Sequence, residues 1–62
     1  MDDTVFILLG RKLAERKRDI EEYLAGGSVT SYEEYCRFVG EYRGLVNMET
    51  ELKELEKRYI ED

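Results

Sequence analysis

Three groups of side chains in this 62-residue chain could do chemistry: a lone thiol, a crowd of carboxylates and a short basic run. Cys36 is the single cysteine, and the chain has no histidine. A reactive thiol needs a neighbouring imidazole or a cationic helix terminus to hold it as thiolate. Cys36 has only the second of these, near the start of an expected helix, and reads as a small buried residue that packs like alanine. One thiol without histidine cannot assemble a zinc site, and no cofactor is expected. Glu21, Glu22, Glu33 and Glu34 could approach one another around a turn. Paired carboxylates become acid and base only in a water-poor pocket that separates their pKa values. A chain this short builds no such interior, so these glutamates read as a solvated face. The run RKLAERKR, residues 11–18, holds five cations in eight positions and could touch phosphates. Glu15 interrupts it and Asp19, Glu21 and Glu22 follow, which makes a charged helix face the plainer reading. No enzyme is expected.

These residues must be carried by helices. The chain lacks proline, and its only cluster of turn residues is AGGSVTS, residues 25–31. On either side the apolar residues recur at helical spacing. Phe6, Leu9, Leu13, Ile20 and Leu24 share a face of a first helix over about 3–24. Asp2 and Asp3 suit its positive dipole end, and Gly26 and Gly27 supply its C-terminal stop. A second helix spans about 31–60. Ser31 with Glu34 makes a capping box, with Thr30 and Glu33 as the alternative frame. Phe38, Leu45, Leu52 and Tyr59 are seven apart, with Met48 and Leu55 between them, an a/d seam of about three heptads. Glu49 with Lys53, and Glu54 with Arg58, are favourable i,i+4 pairs, as are Lys17–Glu21 and Arg18–Glu22. The fold class is therefore all-α: one domain over 1–62, an antiparallel two-helix hairpin with the longer helix second and a turn at about 25–30.

Lengths set the expected register. At 1.5 Å per residue the helices are roughly 33 and 45 Å long. Folding back at residue 28 sets position 24 opposite about 32, position 6 opposite about 50, and Gly44 near Gly10. Leu52, Leu55, Tyr59 and Ile60 would then overhang the first helix and need a cover. The run Val5–Leu9 is apolar all round, which also asks for a partner. The partner-binding residues on this reading are Val5, Phe6, Leu9, Leu52, Leu55 and Tyr59. Gly40 and Gly44, continuing a small-residue stripe from Cys36, would set close helix packing, against either the first helix or another chain. Five tyrosines and no tryptophan suit either a small core near the turn or an interface.

Composition agrees with association, either of the chain with itself or with a larger partner. A chain near 60 residues buries only about 60% of its unfolded surface, and small scaffolds need a staple, a metal or an oligomer. Charged residues make up 40% of the chain and the net charge is −5, which argues against a general nucleic-acid binder. The opening MDDTVFILLGRK has its acids before a five-residue apolar run, unlike a signal peptide or a membrane span.

SYEEYCRFVGEYRGL, residues 31–45, resembles a segment of small helical proteins encoded in the virion-structure gene clusters of tailed bacteriophages. Ser31, Tyr32, Tyr35, Gly40, Gly44 and Leu45 match, and the order of the surrounding segments extends the likeness over roughly 11–60. Cys36 stands where that family often has arginine, and the ending YIED is less acidic than its usual tail. The resemblance implies a non-enzymatic virion component, made in the host cytoplasm and bound in many copies to a head, portal or neck protein. The alternative is a small phage regulator that binds a host protein or a nucleic acid. A membrane partner is not expected.

Overall fold

The computed structural model describes residues 4–61. Two helices, α1 (Thr4–Ala25) and α2 (Tyr32–Glu61), of 22 and 30 residues, pack side by side as an antiparallel hairpin. The molecule is a rod of 47 × 15 × 13 Å. The expected hairpin and its longer second helix are thus observed. Asp2 and Asp3, read as complements to the α1 dipole, lie outside the described residues.

Local chemistry explains both helix ends at the turn. The Gly26 amide donates to the Glu22 carbonyl at 2.8 Å, and Gly27 adopts φ +74°. That left-handed residue ends α1, and L side chains resist the conformation. At the start of α2 the Ser31 hydroxyl accepts from the Glu34 amide at 3.1 Å, and the Ser31 carbonyl accepts from the Tyr35 amide at 3.1 Å. Ser31 is therefore the N-cap. The capping box is only half formed, because Glu34 uses its carboxylate elsewhere. It accepts from the Tyr23 phenol at 2.6 Å and from the Thr30 hydroxyl at 3.4 Å. The glutamate that would have closed the cap instead ties the turn to α1.

The seam differs from its expected frame. On α1 the inward positions are Phe6, Gly10, Leu13, Lys17, Ile20 and Leu24, alternating by four and three. On α2 they are Phe38, Tyr42, Leu45, Glu49, Leu52 and Glu56, with Tyr59 closing the end. Phe38, Leu45, Leu52 and Tyr59 stand as expected. Met48 does not: it is 56% exposed. Leu55 is 55% exposed, as expected of a residue that the first helix leaves uncovered, and Glu49 and Glu56 take the inward positions beside the two. Lys17 is the cause. It occupies an inward position of α1, and its ammonium reaches Glu49 at 2.8 Å across the seam. Turning Met48 and Leu55 inward would carry Glu49 away and leave the lysine charge against apolar walls. An uncompensated charge costs more than two half-exposed side chains recover. Glu49 accordingly pairs across the hairpin rather than with Lys53, and Lys17 reaches it rather than Glu21 alone.

The register is also displaced. Gly10 lies against Leu52, whose Cδ2 would stand 3.8 Å from a Cβ added at that glycine. The Phe6 ring meets Tyr59 at 5.6 Å between centroids, and Tyr23 meets Phe38 at 4.9 Å. Leu52, not Gly44, faces Gly10, a displacement of about two helical turns. The reason is the six residues 26–31. Outside a helix, each residue can advance the chain about twice the 1.5 Å of a helical one, so α2 starts beyond the end of α1. The overhang therefore exists at the turn end, not the open end. It is the first turn of α2, where Tyr32 is 79% exposed and stacks on Tyr35.

Candidate protein-docking surface

With this register the expected site residues separate into two sets. Phe6 and Leu52 are half-buried in the hairpin's own seam, and Tyr59 meets the Phe6 ring but stays 39% exposed. Val5, Leu9 and Leu55 remain exposed at 43%, 48% and 55%. Gly40 and Gly44 are exposed, and a Cβ at either would meet no atom within 4 Å. The expectation that they set close contact with the first helix is thus corrected. They lie outside the seam because the frame holding Tyr42 and Glu49 inward turns them away.

Sequence reasoning missed Met48 as a surface residue. Leu9, Leu13, Met48, Leu52 and Leu55 line an apolar groove of about 250 Å³ along one side of the hairpin, with Lys12 on the α1 wall and Glu51 on the α2 wall. Val5 continues it one turn before Leu9. The signal was present in the sequence: both phases of the α2 heptad carry apolar residues, and one helix partner can cover only one of them.

Polar bonds hold the turn-proximal half. Arg16 meets Glu41 with two bonds, Nε to Oε2 at 2.6 Å and Nη2 to Oε1 at 3.0 Å. The Tyr42 phenol donates to Glu21 at 2.5 Å, and the Lys17 ammonium sits 5.5 Å from the Tyr42 ring centre. These contacts leave their mark on titration. The Arg16 bond holds the Glu41 carboxyl below its ordinary range, and the Tyr23 bond does the same for Glu34. Bonds to Glu34 and Glu21 push the Tyr23 and Tyr42 phenols up. Glu49 raises Lys17 and Glu41 raises Arg16, each first through a hydrogen bond. Two of the five cations in the run 11–18 are therefore engaged across the hairpin, which weakens that run as a phosphate site.

The open end is different in kind. Val5, Ile7, Leu8 and Leu9 on α1, with Leu55 and Ile60 on α2, are all exposed by 43–60%. Their side chains surround the end of the rod away from the turn. Cys36 is exposed on α2, which corrects the expectation that it is buried: it lies on the same outward side as Gly40. Among the described residues no group of three or more His, Cys, Asp or Glu is gathered as a metal site would need, and no helix is long and apolar enough to cross a membrane.

The class these observations define is a two-helix hairpin with an apolar open end and one apolar flank. No family model, curated protein or solved structure matches the chain.

Proposed function

We infer that the chain is a non-enzymatic docking component of a tailed-phage particle, seated by its open end on a larger head, portal or neck protein. The observation that carries the docking half is the exposed apolar end, Val5, Ile7, Leu8, Leu9, Leu55 and Ile60. Isolated surface apolars are ordinary, whereas a contiguous group at one end of a rod marks an interaction site. The phage half rests on the resemblance of residues 31–45 and on the order of segments around it. The turn-proximal half, with its bidentate Arg16–Glu41 pair and phenol–carboxylate bonds, would act as the rigid handle. On this reading the apolar anchors provide affinity and the charged faces provide the rim.

Mass spectrometry of purified virions tests the placement. The chain should be present at a fixed ratio to the head or neck proteins, and Ile7→Asp should remove it from particles while leaving its helicity intact. Absence of the wild-type chain from particles would refute the reading and favour a free regulator.

A further inference from the structure

The groove on the flank raises a separate question, since the open end explains Ile7, Leu8 and Ile60 but not Met48, halfway along the rod. We propose that this flank is the interface of a symmetric dimer of the chain, with the two hairpins parallel and their turns at the same end.

Lys12 and Glu51 stand on opposite walls of the groove, and among the described residues neither has an ion-pair partner. Because Gly10 lies against Leu52, the two are at nearly the same level along the rod. A two-fold interface brings the same surface of both copies together, so its charges must complement themselves. Only two kinds of two-fold axis can lie within the plane of the groove along its principal directions. An axis across the rod through the middle of the groove, where Lys12 and Glu51 stand, sets α1 on α1 and places Lys12 against Lys12 and Glu51 against Glu51. An axis along the rod sets α1 of each copy on α2 of the other at the same level. Lys12 of one copy then meets Glu51 of the other, and the pair forms twice. Like charges opposed across an interface cost several kcal/mol, so the charge pattern selects the lengthwise axis.

Packing fits the same arrangement. Leu9 and Leu13 of one copy would lie on Met48 and Leu55 of the other, which makes a four-helix bundle with the second heptad phase of α2 as part of its core. Gly44, one turn before Met48 and open at its Cβ position, leaves room for the neighbouring helix. The need is also evident within the hairpin, where Ile20 is the one fully buried side chain among the described residues. Parallel hairpins would place both open ends together; Leu9 and Leu55 would then be covered between the copies, and Ile7, Leu8 and Ile60 of each would remain for the proposed docking end, on which the dimer does not depend.

Sedimentation equilibrium over a wide concentration range tests the proposal, with circular dichroism as the control for folding. The wild-type chain should dimerise. Lys12→Glu and Glu51→Lys should each weaken the dimer by about tenfold or more, with helicity at high concentration retained. The double variant Lys12→Glu/Glu51→Lys should recover most of the wild-type affinity, because the pair is restored with its signs exchanged. Leu55→Asp should leave a helical monomer. A wild-type chain that stays monomeric at all concentrations overturns the proposal, and so does a dimer indifferent to the single reversals or not rescued by the double. These outcomes are separable from particle docking: a dimer absent from virions sinks only the docking reading, and a monomer found in virions sinks only the dimer.

Discussion

Replacing Ile20 and Leu55 separately by alanine tests which residues hold the hairpin together. Ile20 is 1% exposed. Truncating it removes the full transfer energy of the lost carbons and leaves a void, for a cost of about 2–5 kcal/mol. Leu55 is 55% exposed. Full burial of a leucine contributes about 1.5–3 kcal/mol, so the covered half contributes about 1 kcal/mol at most, and its removal opens no cavity. A domain of this size has only about 3–9 kcal/mol in total. Ile20→Ala should therefore approach or cross the folding threshold, while Leu55→Ala should lower Tm by about 8 °C or less, at 4–8 °C per kcal/mol. Urea and thermal melts followed by circular dichroism provide the comparison, run at concentrations low enough to hold the chain monomeric. Equal losses at the two positions, or the larger loss at Leu55, would refute the seam described above.

Other substitutions and conditions probe the turn, the glycines and the polar clasp. Gly40→Ala and Gly44→Ala should each stabilise the monomer by about 0.5–1 kcal/mol, since both sit in open helix interior; a loss in urea melts would mean that face is filled. Gly27→Ala should destabilise by about 1–2 kcal/mol, because only the glycine holds φ +74° without strain. Ser31→Ala should cost about 1 kcal/mol through loss of the N-cap bond, read from the same melts. Stability should also fall at both pH extremes. Glu34 and Glu41 have depressed values, so their contribution is present above the unfolded value of about 4.3 and lost as pH falls through the folded values. Tyr23 and Tyr42 have raised values, so theirs is present below the unfolded value of about 10 and lost as pH rises through the folded ones. A urea midpoint that does not change between mid-range pH and pH below about 4 would remove the clasp from the account.

The hairpin was legible because its signals are local: a single Gly-rich turn, a Ser31 cap, and helical spacing on both sides. The register was not, because it depends on how far six non-helical residues carry the chain, and composition says nothing of that distance. The frame of α2 was ambiguous for a different reason. Leu45 and Leu52 accept a partner three residues on, Met48 and Leu55, or four residues on, Glu49 and Glu56. Hydrophobicity favours the first, while a lysine on the other helix selects the second. That choice is made by Lys17, which could be read only by placing both helices together. Of the expected anchors, Val5, Leu9 and Leu55 stay on the surface, Phe6 and Leu52 help to hold the hairpin itself, and Tyr59 does both, meeting Phe6 while staying exposed. Gly40 and Gly44 looked like a contact stripe because their spacing is right for one, but spacing alone does not say which way a stripe faces.

Everything proposed for the open end and the flank follows from which residues face inward, and this can be measured directly. Nuclear Overhauser contacts in isotope-labelled Leu55→Asp chain, which should be monomeric, report the register without interference from a second copy. The Phe6 and Tyr59 rings should show mutual contacts, and the Gly10 α-protons should contact the Leu52 methyls. Contacts between Gly10 and Gly44, with none from Phe6 to Tyr59, would place the overhang back at the open end and contradict the account.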